Sequence, residues 1–439
     1  MKIRKGLSIH LVAFSFLSLF HKRTYYANRF YYVSMKKFDI PSFYRSPIIS
    51  HVKAKRKIQD PRKQDYTPTH LYFNKVTISL ARHFGFCYGV ENAIEIAYKA
   101  VKENPDKRIF LLSQMIHNPA VNEDLEEQGI VFLQDTDGKQ LIPFEKLNSD
   151  DIVIIPAFGT TLEIEKILID IGIDIQTYNT TCPFVEKVWN RSGKLGTQGH
   201  TVIIHGKANH EETRATFSQS ASKAPTLIIK DMEEAVYLGK IISGDVEMHN
   251  FFSFFEGKYT PDFDPSIHLN RIGIVNQTTM LASETEGITN YLRSVMLAKF
   301  GEDVIKDHIA DTRDTLCYAT NDNQTSTLAL MENEVDLAIV VGGYNSSNTS
   351  HLVEILEQKF PTYFIASESG IISKDEIHSY NIHQKFVEQK NDFLPEKSHI
   401  RIALTSGASC PDAIVDEVIQ RILALCNEDI PIDEVLLTI

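Results

Sequence analysis

The sequence predicts an α/β fold of three similar α/β units, with mostly parallel sheets arranged pseudo-threefold around one centre, and three observations predict it. Short apolar runs alternate with longer helical patterns along the chain, the signature of parallel βα units. A cysteine heads each of three similar segments: Gly85-Phe86-Cys87-Tyr88-Gly89, Thr180-Thr181-Cys182-Pro183 and Leu316-Cys317-Tyr318-Ala319-Thr320. A polar cluster then follows each cysteine at a nearly constant distance: His117-Asn118 after 30 residues, His210-Glu211-Glu212 after 28 and Ser346-Ser347-Asn348 after 29. Self-similarity at a fixed period is what repeated structural units leave in a sequence.

In chain order, the strand-like runs are Val76–Ala81, Arg108–Leu112, Asp151–Pro156, Thr201–His205, Arg271–Val275, Asp336–Val341 and Arg401–Leu404. Each leads into a polar loop and then a candidate helix. Ligands of such sheets collect beyond the carboxyl ends of the strands, where loops pass into helix N-termini, and every polar cluster above falls there. A third loop closes each unit: Phe158-Gly159-Thr160-Thr161, Asn276-Gln277-Thr278-Thr279 and Thr405-Ser406-Gly407-Ala408-Ser409. An insertion at about 241–270, rich in Phe, Asp and Gly, explains the wider spacing in the second unit. The expected organisation is a basic N-terminal extension at 1–70, a first unit at 71–181, a second at 182–316, a third at 317–424 and a C-terminal tail at 425–439.

A length of 439 residues exceeds what one core usually supports, so two to three domains are expected. Hydrophobic residues make up 43% and charged residues 23%, and no run of roughly twenty apolar residues offers a membrane span. Charge is unevenly placed. Residues 1–70 hold 15 Lys/Arg against Asp39, Asp60 and Asp65, which leaves residues 71–439 with 30 Lys/Arg against 54 Asp/Glu, or −24. An acidic body argues against nucleic acid as a partner, because that binding needs clustered cations. Met1 to Phe20 carries Lys2, Arg4 and Lys5 before an apolar run but no small-residue cleavage site, so it reads as a spurious or disordered extension, with translation starting at Met35, or as an organellar transit segment. Residues 51–70, with Lys53, Lys55, Arg56, Lys57, Arg62 and Lys63, read as a solvated arm. Five cysteines without a convincing export signal point to a reducing compartment and to thiols free for metals or catalysis.

A lone cysteine in an α/β protein usually packs as a small core residue, and Cys410 and Cys426 keep that reading. Cys87, Cys182 and Cys317 instead each stand at an expected helix start, with Pro183 in a first-turn position, where the helix dipole favours thiolate. No C-x-x-C pair occurs, so these ligands must converge from distant units. Three thiolates suit a four-iron, four-sulfur cluster with one iron left open, able to bind a substrate oxygen as a Lewis acid and to pass electrons into it. The common centre of the three units thereby reads as a cluster site.

His117, His210, Ser346, Ser347, Asn348 and Ser409, with Asn118 beside the first, lie on loops preceding helices. Singly, each is explained as a helix cap or a satisfied structural histidine. On equivalent loops of three units they form a ring of donors around one cavity. Such a ring suits a phosphate or diphosphate, since helix N-termini bind anions through free amides and each charge-assisted hydrogen bond contributes roughly 1.5–3 kcal/mol. No G-x-x-x-x-G-K-[ST] motif appears, and Gly342-Gly343-Tyr344-Asn345-Ser346 lacks its lysine, which disfavours a nucleoside triphosphate. Glu212 is the acid in this ring. Exposed, it would only stabilise a helix start, as Glu211 is expected to do. Pointing inward, it is the natural proton donor for reductive loss of a hydroxyl group, with Thr278 relaying the proton or orienting the hydroxyl.

At this point the motifs resemble those of the 4-hydroxy-3-methylbut-2-enyl diphosphate reductase family, in the same order from about 76 to 424: Gly85-Phe86-Cys87-Tyr88-Gly89-Val90, His117-Asn118, Thr181-Cys182-Pro183, His210-Glu211-Glu212-Thr213, Gln277-Thr278-Thr279, Cys317-Tyr318-Ala319-Thr320, Asn345-Ser346-Ser347-Asn348 and Ser406-Gly407-Ala408-Ser409. The resemblance implies an oxygen-sensitive iron–sulfur oxidoreductase performing the last step of the non-mevalonate isoprenoid pathway, from (E)-4-hydroxy-3-methylbut-2-enyl diphosphate to isopentenyl and dimethylallyl diphosphates. It implies that Cys87, Cys182 and Cys317 hold one 4Fe–4S cluster per chain whose open apical iron takes the substrate hydroxyl. It further implies that Glu212 supplies protons with help from Thr278, and that His117, Asn118, His210, Ser346, Ser347, Asn348 and Ser409 grip the diphosphate. Ferredoxin or flavodoxin is the implied electron donor in bacteria, and ferredoxin in plastids. The implied location is a bacterial cytoplasm, or a plastid where residues 1–34 act as a transit segment.

One position departs from the family pattern. Many bacterial members carry a histidine in the third loop of the first unit, where this chain has Phe158. The Phe form resembles the plant and cyanobacterial branch, and Thr160 or a backbone amide is the expected substitute for the missing contact. Two other readings fit the same residues. A redox-neutral iron–sulfur hydro-lyase would turn over without an electron donor, and a non-catalytic phospholigand-binding module would hold zinc, or nothing, at its cysteines.

Overall fold

The computed structural model describes residues 38–310 and 315–439. Helix α1 (Pro47–Gln59) is started by Ser46, whose hydroxyl accepts the Ile49 amide, with Pro47 in the first turn. Strands β1 (Thr69–Tyr72) and β2 (Val76–Leu80) lead to Cys87 and helix α2 (Tyr88–Glu103). Then come β3 (Ile109–Leu111), α3 (Pro119–Glu127), β4 (Ile130–Phe132), β5 (Ile152–Ile154) and α4 (Leu162–Ile171). Cys182 precedes α5 (Pro183–Thr197), followed by β6 (Thr201–His205), α6 (Glu211–Ala221), β7 (Thr226–Ile229), α7 (Met232–Ser243), β8 (Ile272–Asn276) and α8 (Ala282–Phe300). Cys317 precedes α9 (Tyr318–Met331), β9 (Leu337–Val341), α10 (Ser347–Leu356), β10 (Thr362–Ile365), the strands β11 (Glu376–Asn381) and β12 (Phe386–Asn391), β13 (Ile400–Ser406) and α11 (Asp412–Leu425).

One strand order recurs in three sheets: β4-β3-β5, β7-β6-β8 and, within a five-stranded sheet, β10-β9-β13. In each, the first strand after the cysteine-headed helix is central and both of its pairings are parallel. Strands covered by helices on both faces bury every residue, as β2, β6, β8 and β9 do. Among the described strands, antiparallel ladders join β1 with β2 and β11 with β12. Among the described residues no helix is long and apolar enough to cross a membrane.

Chain order misplaces one element. Val76–Leu80, expected to open the first unit at 71–181, pairs in parallel with β13, Val76 opposite Ile400, and so widens the third sheet. Five consecutive buried residues need both faces covered, and the third unit supplies the cover. The basic stretch at 51–70 is anchored at its start rather than solvated throughout: Val52 is buried and Lys53 and Arg56 are paired, while Lys57, Arg62 and Lys63 are exposed. Ile49 and Val52 enter the core of the third unit, Ser46 Oγ donates to Asp416 Oδ2 at 2.6 Å, and Lys53 Nζ to Asp412 Oδ1 at 2.7 Å. The many cations that follow mask this short apolar pair at the start of α1. The part of the extension at 1–37, with its proposed start codon and transit segment, lies outside the described residues. The insertion near 241–270 brings Phe251, Phe255 and Phe263 into the second unit's core, and Val435 and Leu436 of the tail pack into the third.

Candidate active site

Cys87, Cys182 and Cys317 are each the extended residue immediately before a helix, at the starts of α2, α5 and α9. Their amides close a ring. Cys182 N–H donates to the Ala157 carbonyl at 3.0 Å, Cys317 N–H to that of Thr278 at 3.4 Å, and Cys87 N–H to that of Ala408 at 3.2 Å. Each bond joins the cysteine of one unit to the third loop of the unit before it, and the third unit closes back on the first. Residues 95 and 135 positions apart in sequence are thereby drawn to one place.

Gly89, in the first turn of α2, lies against two of the sulfurs: a Cβ there would be 2.7 Å from Cys182 Sγ and 3.9 Å from Cys87 Sγ, so those sulfurs are no more than about 6.6 Å apart. Among the described residues no three His, Cys, Asp or Glu side chains converge closely enough to hold a single metal ion. Ligands of a multi-iron cluster bind different irons and stand farther apart than ligands of one ion, a spacing that is open to these two sulfurs. The expected thiolate character does not come from the backbone alone. First-turn amides pull all three thiols toward ionisation, but burial outweighs them: Cys182 is pushed up to about 12, Cys87 is raised, and Cys317 is raised well above the ordinary value. Ionised thiols here need a further cationic partner, which iron would supply.

The thiols share one cavity of about 90 Å³ with Glu212, Thr278, His117, His210, Ser346, Ser347, Asn348 and Ser409. Glu212 is buried. The Thr278 amide donates to its Oε1 at 2.5 Å and the Thr278 hydroxyl to its Oε2 at 2.8 Å. Burial penalises its charge more than these two bonds favour it, which raises the carboxyl to about 7. His210 caps α6, its Nδ1 accepting the Glu212 amide at 3.2 Å, while its buried Nε2 has no partner. Burial holds this imidazole well below its usual pKa, so it is neutral and Nε2 carries the proton. Ser346 Oγ accepts from the Thr349 amide and hydroxyl, leaving its own proton to give. Both polar atoms of the Asn348 side chain are buried without partners. Each such orphan costs about 1–3 kcal/mol unless a ligand satisfies it.

Three expectations change. Asn118 does not line the cavity; it is buried at the start of α3, with its carbonyl taken by Asn122 Nδ2 at 3.0 Å. Glu211, expected to be exposed, is buried with Oε2 2.9 Å from His117 Nε2, because α6 lies across the first unit. Thr160 is buried outside the cavity lining, and Phe158 itself forms that wall, its ring centroid 4.5 Å from that of His117 and 5.5 Å from that of His210. Lys207 escapes sequence reasoning, and Gln277 enters it only as part of a loop motif without a role, yet both donate to Ser347 Oγ at 3.4 Å. The signal for Lys207 is its place in the loop directly after β6, three residues before His210.

Residues 78–423 match the family model described as LytB protein. The chain belongs to the LytB family. A relative of this LytB member from Cyanothece sp., named 4-hydroxy-3-methylbut-2-enyl diphosphate reductase, is 41% identical over 353 residues, which are 80% of this chain and 85% of the relative. One of the same name from Picosynechococcus sp. is 38% identical over 408 residues, 93% of this chain and 96% of the relative. The solved structure of the E-1-hydroxy-2-methyl-but-2-enyl-4-diphosphate reductase from Plasmodium falciparum covers 80% of this chain and 88% of its own, with TM-score 0.58 and 23% identity, and shows the same α/β fold. These cyanobacterial LytB relatives bear out the branch read from Phe158.

Proposed function

We propose that this chain reduces (E)-4-hydroxy-3-methylbut-2-enyl diphosphate to isopentenyl and dimethylallyl diphosphates, the last step of the non-mevalonate isoprenoid pathway. One observation carries the reading: three thiols, a buried carboxyl raised to about 7 and a set of unsatisfied neutral donors share a single cavity. The names of the relatives support it.

Cys87, Cys182 and Cys317 would hold one four-iron, four-sulfur cluster, leaving one iron without a protein ligand; when bound, that cluster supplies Lewis acidity and single electrons. Everything else falls to the chain. The recurring strand order and the ring of cysteine amide bonds support a pseudo-threefold arrangement of the units about this centre, with boundaries near 181 and 316. His117, His210, Ser346, Ser347, Asn348 and Ser409 bind and orient the diphosphate. Phe158, Ile116 and Val185 exclude water around the allylic chain. The reaction breaks the allylic C–O bond, consumes two electrons and two protons, forms a C–H bond and releases water. Glu212 holds a proton near neutral pH and delivers it inside the cavity, while Thr278 fixes its carboxyl by two hydrogen bonds. Electrons come from ferredoxin or flavodoxin, in a bacterial cytoplasm or, with residues 1–34 as a transit segment, in a plastid.

The test is anaerobic purification with iron analysis and an assay on this diphosphate with and without reductant. Brown protein with about four irons per chain and strictly reductant-dependent turnover is expected. Turnover without a donor would favour the hydro-lyase, and colourless protein with stoichiometric zinc the binding module.

A further inference from the structure

An aromatic residue follows each cysteine closely: Tyr88, Phe184 and Tyr318. The Tyr318 hydroxyl accepts the Tyr88 amide at 3.2 Å, and its ring centroid is 4.9 Å from that of Phe184. Tyr318 is 37% exposed although Cys317 beside it is buried, so the cysteine centre reaches the surface through this ring. One turn along α9, on the same face, Asp322 accepts a hydrogen bond from the Tyr66 hydroxyl at 3.2 Å, which fastens the segment 60–67 beside Tyr318.

That segment and the end of α1 carry Lys57, Arg62 and Lys63, all exposed. The cations behind them are already paired: Lys53 with Asp412 at 2.7 Å, Arg56 with Asp65 at 2.9 Å and Arg82 with Asp60 at 3.9 Å. Lys57, Arg62 and Lys63 make no ion pair among the described residues. Arg82, Lys57 and Lys53 stand near enough to Lys63 to act on it electrostatically, as does Asp322 with the opposite sign. A basic face of this kind, on a chain whose residues 71–439 carry −24, attracts a partner of opposite charge and steers its approach.

We propose that Lys57, Arg62 and Lys63, beside Tyr318, form the docking face for an acidic one-electron carrier protein. The proposal rests on the reductase reading, which requires two electrons from outside. Two dockings supply them, each oxidising one reduced carrier by one electron, and the two protons enter separately through the cavity.

The perturbation is the triple change Lys57→Glu, Arg62→Glu and Lys63→Glu, with Lys57→Gln, Arg62→Gln and Lys63→Gln as a milder companion, and the probe is an acidic [2Fe–2S] ferredoxin. Calorimetric binding of the oxidised ferredoxin at about 50 mM salt, where screening is incomplete, should weaken at least about tenfold in the reversal and less in the companion, with a flatter salt dependence in both. Ferredoxin-driven turnover should show a raised KM for ferredoxin, and turnover driven by reduced methyl viologen should stay at the wild-type rate. Unchanged ferredoxin binding in both variants would overturn the proposal, as would anionic vesicles that bind the wild type as tightly as ferredoxin does. Absence of viologen-driven turnover in the wild type would remove the reductase reading instead, and the binding measurement would still judge the face.

Discussion

Gly89→Ala tests the cysteine centre through a single methyl group. Gly89 sits in the first turn of α2, where alanine by itself would strengthen the helix by roughly 0.5–1 kcal/mol. The added methyl would lie 2.7 Å from Cys182 Sγ, 3.4 Å from Cys182 Cβ and 3.9 Å from Cys87 Sγ. Comfortable contacts begin near 3.5–4.0 Å, so Cys182 Sγ must retreat by about 1 Å or change rotamer. Overpacking of this kind costs about 1–3 kcal/mol, which the gain in helix propensity partly offsets, so the metal-free protein should fold with a net loss of at most about 2.5 kcal/mol. Metal ligation is far less forgiving, because metal–ligand distances hold to about ±0.2 Å. Iron and sulfide content after anaerobic purification should therefore drop sharply and turnover with it, while thermal unfolding shifts by only a few degrees. A full iron complement with wild-type turnover would refute the placement of Cys87 and Cys182 around Gly89 as ligands of one centre.

Glu212→Gln should retain iron and substrate affinity but lose most turnover, and the wild-type rate should fall as pH rises through about 7, a limb that the residual rate of the variant lacks. Because burial raises this carboxyl from 4.5 to about 7, its contribution to stability is fully present below about pH 4.5 and is lost as pH rises through 7, a change of about 3 kcal/mol that pH-dependent unfolding of wild type against Glu212→Gln should reveal. Cys182→Ser should lose the iron itself, since a serine hydroxyl is a poor substitute for thiolate; iron analysis at the wild-type level would contradict the assignment. Glu211→Gln removes the anionic partner of His117 Nε2, and substrate KM should rise roughly tenfold with kcat within a few-fold, with Glu211→Asp restoring part of the loss. Ile49→Ala, at a fully buried position of the third core, should cost about 2–5 kcal/mol in urea unfolding; no change would return α1 to the status of a solvated arm.

Reading the chain alone was sufficient for some elements and blind to others, and the division follows the range of the forces involved. Thr201–His205 forms as read, and Val76–Leu80 and Leu337–Val341 match within one residue, because a run of apolar residues between polar loops is a local property. The strands β4, β7 and β10, of three or four residues each, are too short to stand out, and the half-buried β11 and largely exposed β12 carry little apolar pattern. The cysteines, Glu212 and most of the donor loops were legible because they sit at or just before helix starts, and Thr278 because it lies in the loop directly after a strand, positions where residue type already suggests a chemistry.

What the sequence determined by itself is therefore the inventory: three cysteine-headed helices, three sets of polar loops, an acid, Glu212, among the donors and a cationic stretch ahead of an acidic body. Tertiary structure alone decided that β2 joins β13 across more than 300 residues, that the cysteine amides bond in a closed ring, that Glu211 turns inward to His117 while Asn118 and Thr160 stay out of the cavity, and that α1 is packed. Local propensity acts over a few residues, whereas burial and strand pairing depend on which distant segments share a sheet, and only the closed fold brings those segments together.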